Sequence, residues 1–365
     1  MTDERVKELS FVQRALMRPE MGAFCGVILV IIFFLLIAAD NGMFNPDGIR
    51  NWSVVSAQFA IIAVGACLLM IAGEFDLSGS MIGFAGMVLA ISTVHYELPM
   101  WLGIIAAFVL SMALGAFNGF LVIKTKLPSF IVTLAFLYIL RGLTIFMSVT
   151  TTSKTILSGM KPIAEEDWLA PIFGGEAFKW VFTWMGNNGW IETYTRGVFE
   201  GQPVVSGVPA LILWAIGLVI FGQFLLTKTR FGNWIFASGG DAHAAEYAGI
   251  PVNRVKILMF MFTAFCACVF AMCQVTEFGS AGADRGLLKE FEAIICVVIG
   301  GALLTGGYGS VIGAALGAIM FGVVQQGLFF SGAESSLFRV FLGGLLLIAV
   351  ITNTYIRRSV IGAGD

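Results

Sequence analysis

The feature that most constrains this chain is a succession of long apolar runs separated by polar segments. The runs lie near residues 21–39, 57–72, 80–94, 100–122, 129–148, 208–226, 257–275, 291–304, 310–330 and 337–355. A helix needs about 20 apolar residues to cross the hydrocarbon core of a bilayer. Only 12% of the residues are charged, whereas a soluble domain carries roughly 25%. The pattern therefore predicts one transmembrane domain over residues 1–365, all-α and polytopic, with about ten spanning helices.

The distribution of basic residues indicates the orientation of these helices, because cytoplasmic loops carry an excess of Lys and Arg. Ten crossings place both termini on one side. Twelve basic residues lie in the segments predicted to be cytoplasmic: Arg5, Lys7, Arg14, Arg18, Lys124, Lys126, Lys228, Arg230, Arg254, Lys256, Arg357 and Arg358. Four lie in the opposite short loops: Arg50, Arg285, Lys289 and Arg339. We therefore expect cytoplasmic N and C termini, with residues 1–20 as a retained cytoplasmic segment rather than a cleaved signal.

The residue inventory excludes several classes of function. The net charge is −2 and no block of Lys and Arg occurs, so we expect no nucleic-acid partner. All six cysteines lie in apolar runs, which predicts small buried or lipid-facing residues rather than a disulfide framework. With two histidines and no nucleophile constellation, we expect no catalysis, no metal ion and no cofactor. The chain has no phosphate-binding loop motif, so any ATP must be hydrolysed by another polypeptide.

Residues 149–207 are predicted to form a long external loop. It carries four tryptophans and six acidic residues: Trp168, Trp180, Trp184, Trp190, Glu165, Glu166, Asp167, Glu176, Glu192 and Glu200. Tryptophan is common at membrane interfaces, which favours a short amphipathic helix lying on the membrane. The alternative interpretation is an acidic docking surface for an external partner.

Residues 227–256 are predicted to form a cytoplasmic loop with a short helix at its centre, from Asp241 to Ala248. Asp241 is the predicted N-cap, and Gly249 is the predicted C-terminal stop. A short capped helix held between two spans is a rigid projection into the cytoplasm. A passive pore has little need of such a projection, whereas a pore driven by a cytoplasmic motor requires one.

The segment GEFDLSGS, residues 73–80, interrupts the apolar pattern with two carboxylates, two serines and two glycines. Within hydrocarbon, such a break leaves backbone amides and carbonyls unpaired unless it faces water or protein. Two interpretations stay open: a cytoplasmic turn, or a broken helix that lines a path for a polar solute. Asp76, with Ser78 and Ser80 as alternatives, is the predicted N-cap of the helix that follows.

Polar side chains in or near the spans are the candidates for the translocation path. They are Glu74, Asp76, Ser78, Asn118, Thr133, Arg141, Glu292, Gln325 and Gln326. Amide and hydroxyl groups suit a neutral polyhydroxylated solute, which needs many weak hydrogen bonds and no strong charge partner. Arg141 is expected to snorkel or to form an ion pair, because it falls toward the outer end of its helix. The glycine- and alanine-rich stretch 300–318 predicts close helix approach, with Gly313 and Gly317 at the required spacing.

Four segments together resemble the permease subunits of bacterial sugar ABC importers, the ribose, xylose and galactose permease group. They are GEFDLSGS (73–80), KLPSFIVTLAFLYILRGL (126–143), GGDAHAAEYAGI (239–250) and GSAGADRGLLKEFEAIICVVIGGALLTGGYGSVIGAALGA (279–318). They occur in the order found in that family and span most of the chain. The resemblance implies a type II importer permease fold in the bacterial inner membrane, in contact with membrane lipid.

The resemblance also implies partners. A second permease copy, identical or related, would complete the membrane unit, with cytoplasmic ATP-binding subunits and a periplasmic sugar-binding protein. By similarity, residues 239–250 form the helix that enters a groove on the ATPase. The residues expected to couple the two subunits are Gly239, Gly240, Asp241, Ala245, Glu246 and Gly249.

The expected function is membrane translocation of a monosaccharide or a related polyol by alternating access, driven by separate ATPase subunits. The alternative is a secondary transporter driven by a proton or sodium gradient, with Asp76 or Glu292 as the coupling group. The capped segment 241–248 favours the first hypothesis. The absence of a carboxylate relay at helical spacing argues against the second.

Overall fold

The computed structural model describes residues 19–196, 200–334 and 336–344, together with residues 347 and 351. Fourteen named helices and four short strands fall in this part of the chain. The helices are α1 (Pro19–Ile37), α2 (Pro46–Ile71), α3 (Met81–Ala90), α4 (Met100–Thr125), α5 (Ser129–Thr152), α6 (Met160–Glu166), α7 (Pro171–Gly174), α8 (Lys179–Asn187), α9 (Ala210–Lys228), α10 (Arg230–Gly240), α11 (Ala242–Tyr247), α12 (Val252–Phe278), α13 (Lys289–Ile299) and α14 (Val311–Phe330). A π-helical turn, Ile91–His95, extends α3.

The predicted all-α polytopic fold is confirmed. In the described part of the chain, seven helices are long and apolar enough to cross a membrane: α1, α2, α4, α5, α9, α12 and α14. The other three predicted spans correspond to shorter helices, namely Met81–His95, Lys289–Ile299 and the stretch 336–344. The predicted N-terminal segment up to residue 18, and most of the predicted last span beyond residue 344, lie outside the described residues.

The spans divide into a buried core and an outer layer. Of the most apolar stretch of each helix, 78% is buried in α2, 67% in α14 and 61% in α12, against 17% in α1. The outer helices expose large apolar side chains such as Leu36, Phe146 and Ile220. An apolar surface of this kind marks contact with lipid rather than water. Helices α2, α12 and α14 therefore form the buried core of the described part of the chain.

Helices α13 and α14 approach each other closely through glycines, as the sequence predicts. A Cβ at Gly313 would overlap the carbonyl oxygen of Gly300, and a Cβ at Gly317 would overlap that of Cys296. Small residues permit this contact because the two backbones themselves are the packing surfaces. The prediction for the cysteines is also confirmed, since all six are free and all except Cys25 are buried.

The segment between α5 and α9 is built from short helices and strands. Strand β1 (Ile156–Ser158) pairs antiparallel with β4 (Ser280–Gly282), and β2 (Glu176–Ala177) pairs with β3 (Val208–Pro209). Asp167 accepts hydrogen bonds from the backbone N–H groups of Leu169, Ala170 and Trp101. Glu176 pairs with Arg50, so two of the six predicted docking acids are engaged inside the protein.

The four predicted interfacial tryptophans of this segment are all exposed, and Trp180 and Trp184 lie on α8. Glu165, Glu166, Glu192 and Glu200 are exposed as well. The choice between a membrane-lying helix and an acidic docking surface therefore stays open.

Three of the four basic residues counted in the opposite loops lie in helices: Arg50 in α2, Arg339 in the helical stretch 336–344, and Lys289 in α13. Lys289 was expected in a short external loop, but it is the first residue of α13. Its side chain is only 24% exposed and lies 4.5 Å from the ring centre of the buried Phe59. The loop that precedes α13 turns back into the bundle, so α13 begins among the core helices. Positions within helices do not assign a side of the membrane, so the predicted orientation stays a prediction.

Candidate functional site

The segment 73–80 is an extended break between α2 and α3. At its start, a Cβ placed on Gly73 would lie 3.2 Å from the Cα of Gly239. Near its end, a Cβ placed on Gly79 would overlap the carboxylate of Glu290. Glu290 is near the start of α13, and Gly306 lies in the loop after the end of α13. A Cβ placed on Gly306 would lie 2.8 Å from the Cα of Gly73. The segment therefore runs alongside the 11 residues of α13, roughly 16 Å at 1.5 Å per residue. The segment is therefore an extended connection longer than a tight turn, and its two predicted roles, as a cytoplasmic turn or as a broken helix along a solute path, stay predictions.

Hydroxyl groups of α5 satisfy the backbone of this broken segment. The N–H of Phe75 donates to Ser129 Oγ at 2.9 Å, and the N–H of Leu77 donates to Thr133 Oγ1 at 3.0 Å. The Thr133 hydroxyl itself donates to the carbonyl of Ser129 at 2.9 Å. Both residues are buried. Side chains thus supply the partners that a helix would supply from its own backbone, which is what a break inside a membrane protein requires.

Asp76 does not cap α3, so that prediction is wrong. Its Oδ1 accepts hydrogen bonds from the N–H and the hydroxyl of Ser78, two residues further along. Ser80 precedes α3 and makes no side-chain cap hydrogen bond either. Aspartate forms such turns readily because its short side chain reaches the backbone two residues on. Asn118 of α4 donates to Ser78 Oγ at 3.4 Å, which links the segment to a second helix.

An ion pair anchors the start of the segment. Lys256 Nζ of α12 lies 2.5 Å from Glu74 Oε1, and the two side chains are 17% and 12% exposed. A carboxylate and an ammonium group buried to this extent are stable only when paired. Glu74 is therefore fixed to α12.

A small, largely apolar pocket lies where the broken segment meets α13. Its volume is about 40 Å³, and its lining includes Asp76, Ser78, Lys289 and Glu290. A space of this size holds a few water molecules but no sugar. Glu290 is 6% exposed, and neither of its carboxylate oxygens has a hydrogen-bond partner among the described residues. Glu292 sits beside the pocket and pairs with Lys289 at 2.6 Å.

A larger cavity lies toward the other end of α2 and α12. Its volume is about 350 Å³. It is lined by Arg50, Asn51, Val54, Val55, Gln58, Phe173, Pro209, Ala210, Leu211, Phe270, Cys273, Gln274, Glu277, Phe278 and Gln326. We call this space the outer cavity. Arg50 Nη2 pairs with Glu176 Oε1 at 2.9 Å, which fixes the loop strand β2 against α2 beside it.

The nine predicted path residues fall in several places rather than one. Five lie on or against the broken segment: Glu74, Asp76, Ser78, Asn118 and Thr133. Gln326 lines the outer cavity, whereas the buried Oε1 of its neighbour Gln325 has no partner in the described residues. Arg141 Nη2 pairs with Asp284 Oδ1 at 2.7 Å, as the ion-pair interpretation predicts. Sequence reasoning missed Gln58 and Gln274, although each is an amide inside an apolar helix.

The predicted cytoplasmic helix is present as α11, with both predicted ends. Asp241 Oδ1 accepts the N–H of Ala244 at 3.0 Å, which caps the N-terminus. At the other end, Gly249 has φ +82°, its N–H donates to Glu246 O, and the N–H of Ile250 donates to Ala245 O. This pair of bonds is a Schellman motif. Ala245 is buried, whereas Glu246 is exposed and Tyr247 is 93% exposed.

Glycines connect the base of this helix to the core. We call Gly73, Gly239, Gly240, Gly306 and Gly307 the glycine junction. The N–H of Gly307 donates to the carbonyl of Ile71, the last residue of α2, at 2.9 Å. A Cβ at Gly239 would overlap that same carbonyl, and a Cβ at Gly307 would lie 2.8 Å from Gly240 Cα. The end of α10, the start of the broken segment and the loop after α13 are therefore in direct backbone contact.

Comparison with known proteins gives consistent matches over most of the chain. Residues 48–350 match the family model described as branched-chain amino acid transport system / permease component. The xylose transport system permease protein XylH of Escherichia coli K12 is 31% identical over 357 residues, covering 91% of each chain. XylH of Haemophilus influenzae is 30% identical, covering 90% of this chain and 94% of its own. The ribose import permease protein RbsC of Escherichia coli K12 is 29% identical, covering 90% and 92%.

Proposed function

The chain belongs to the branched-chain amino acid transport system / permease component family, and from this premise we propose that it is the translocation subunit of an ATP-driven importer for a monosaccharide or a related polyol. The two groups of relatives described above are a xylose transport permease and a ribose import permease. The protein is a multi-pass protein of the bacterial inner membrane and not an enzyme. It works with ATP-binding subunits and a periplasmic binding protein.

The observation that carries the proposal is the contact between α11 and the core. The helix is capped at both ends, so it moves as a rigid body. Its base touches the broken segment and the loop after α13 through the glycine junction. A displacement of α11 by an ATPase therefore acts directly on the backbone at the end of α2.

The mechanism rests on two states of unequal free energy. A gate moves solute uphill only if an external source changes the balance between its outward-open and inward-open forms. ATP binding to the partner subunits supplies this change through α11. The coupling residues are those predicted from the sequence: Gly239 and Gly240 at the base, Asp241 and Gly249 at the two ends, and Ala245 and Glu246 on the helix.

The proposed path passes along the broken segment. Asp76, Ser78 and Asn118 form a continuous polar strip there, and the hydroxyl of Thr133 lies behind it. Glu74 holds the strip in place through Lys256. Arg141 is paired with Asp284, so we assign it a structural role rather than contact with the solute.

A second permease copy completes the membrane unit in this proposal. The helices α1, α4, α5 and α9 expose apolar faces over most of their length. A second copy covers part of this surface, and lipid covers the rest. No contact among the described residues favours the gradient-driven alternative, since Glu292 is paired with Lys289 and Asp76 with Ser78.

Uptake of labelled pentoses, hexoses and polyols by cells that express the whole importer tests the proposal. We expect uptake of at least one sugar, abolished when the gene for this chain is deleted. Arsenate, which depletes ATP, should stop uptake, whereas a protonophore applied with ATP maintained should not. Uptake that persists without ATP and stops with the protonophore would support the gradient-driven transporter instead.

Association with the ATPase provides a second test. Glu246→Arg reverses the charge on the exposed face of α11, and we expect the variant to insert normally but to lose its ATP-binding subunits on purification. Glu97→Arg changes an exposed acid in the loop after α3, at the opposite end of the bundle, and should retain them. Equal recovery of the ATPase with both variants would contradict the role given to α11.

A further inference from the structure

The outer cavity has the size and enclosure of a small-molecule site. Pockets that bind small molecules measure roughly 300–1,000 Å³, and this one measures about 350 Å³. Its walls come from α2, α7, the start of α9, α12 and α14 of one chain. It differs from the pocket beside Glu290, which is too small for any organic solute.

Its polar lining is unusual because the amides there are unused. Gln58, Gln274 and Gln326 are half-buried, and none of the three side chains makes a hydrogen bond to the described residues. By contrast Gln223, on the same protein, accepts hydrogen bonds from the N–H groups of Val311 and Ile312. Each free amide offers two donors and one acceptor. Three such groups facing one space suit a ligand that carries several hydroxyls.

The charged groups in the lining of the cavity are Arg50 and Glu277. Arg50 is occupied by Glu176, which also accepts a hydrogen bond from Ser206. The carboxylate that lines the cavity, Glu277, is exposed and has no ion-pair partner in the described residues. Arg50 Nη2 is engaged by Glu176, whereas its buried Nε has no partner in the described residues. The charges therefore add no selection against an amino acid, and the preference for a neutral polyol rests on the three amides.

Aromatic rings complete the lining. Phe173 is held by stacking on Trp214, with ring centres 5.4 Å apart and an interplanar angle of 7°. Phe270 and Phe278 of α12 also line the cavity. Apolar faces of aromatic rings pack well against the C–H faces of a sugar ring while amides bind its hydroxyls.

The position of the cavity places it in line with the broken segment. On α2, Gln58 of the cavity is one turn from Ile62 of the small pocket. On α12, Phe270 is one turn from Ala267 of that pocket. Phe270, which lines the outer cavity, is itself only 1% exposed. In this conformation the two spaces are separated by about one layer of buried side chains.

We propose that the outer cavity, through Gln58, Gln274 and Gln326, is a binding site for one neutral monosaccharide or polyol within each copy of the chain. This inference rests on the proposed importer function and adds the place where the solute is held.

Cysteine protection tests the site in the complete importer. In a Cys25→Ser background, Asn51→Cys places a thiol at an exposed position of the lining, and Asn187→Cys places one on α8 outside it. Each variant is labelled with a membrane-impermeant maleimide with and without the transported sugar. We expect the sugar to slow labelling of Asn51→Cys at least threefold and to leave Asn187→Cys unchanged.

A paired substitution tests the amides. Gln274→Met together with Gln326→Met keeps the side-chain volume and removes the amides that would bond the sugar. We expect the double variant to lower uptake at least tenfold and to abolish the protection of Asn51→Cys by sugar. The ATPase should still co-purify with it. Gln202→Met, at an exposed amide away from the cavity, should retain wild-type uptake. Sustained uptake with no protection by any sugar would overturn the site and leave the importer function intact. Loss of the importer function would appear differently, as no uptake of any sugar. Protection by an amino acid or a cationic amine alone would overturn the assignment of a neutral ligand.

Discussion

The two ends of α2 and α12 are packed in opposite ways. At the outer cavity, around Gln58 and Phe270, side chains leave about 350 Å³ unfilled and amides lack partners. At the glycine junction, around Ile71 and Gly239, backbones touch and a single added methyl would overlap a carbonyl oxygen. The difference fits the two tasks proposed above, because a space that accepts a solute must be loose and a joint that transmits displacement must not yield.

The largest expected effect comes from adding one methyl group to the tight end. Gly239→Ala forces the end of α10 away from Ile71, and we expect a loss of about 3 kcal/mol of stability. Thermal unfolding of the purified importer measures it. In Gly240→Ala the added Cβ has no atom within 4 Å, so this variant should unfold at the same temperature as the wild type. Val54→Leu, in the outer cavity, should also be neutral. If all three variants melted together, the contrast between the ends would be wrong.

Ion pairs at the two ends give the next test. Lys256→Met leaves Glu74 charged and largely buried, so we expect a loss of about 2 kcal/mol. Arg50→Met breaks the outer pair with Glu176, which is more exposed at 28% and 19%, and should cost about 1 kcal/mol or less. Adding Glu74→Gln to Lys256→Met should recover part of the loss. A larger effect at Arg50 than at Lys256 would reverse the comparison.

The smallest expected effect concerns the rigidity of α11 itself. Asp241→Ala removes the N-cap hydrogen bond to Ala244, worth about 1 kcal/mol. Hydrogen exchange at the amides of α11 should quicken, and ATPase activity stimulated by sugar should weaken, while the outer cavity still protects Asn51→Cys. Asp241→Asn retains a capping oxygen and should behave as the wild type. Unchanged exchange in Asp241→Ala would show that the cap is not what holds α11.

Local features were predictable from sequence, and features set by packing were not. Both ends of α11 followed from Asp241 and Gly249, because a cap bonds within three residues of itself. Close packing of Gly313 on Gly300 followed from small-residue spacing. The interior position of Lys289 did not, because it depends on a loop folding back among other helices. Asp76 was misplaced because a short carboxylate can reach either a helix start or the N–H two residues on.

The candidate site shows the same limit. Glu74, Asp76, Ser78, Asn118 and Thr133 were chosen as polar residues in apolar surroundings, and they do lie together. Gln58 and Gln274 share that property and were missed. Nothing in their own helices reveals that residues 216 positions apart, one on α2 and one on α12, line one cavity.

The hydroxyls of Ser129 and Thr133 that hold the broken segment have a consequence for how this gate moves. A helix releases an N–H only by unwinding, since its partner is part of the same backbone. The amides of Phe75 and Leu77 are bonded instead to side chains of a different helix. If α5 slides, water or a passing hydroxyl replaces each lost partner with one of the same kind. Each hydrogen bond lost on opening is then replaced by another to a hydroxyl or water oxygen. The energy barrier to opening therefore comes from the sliding of helices rather than from broken hydrogen bonds.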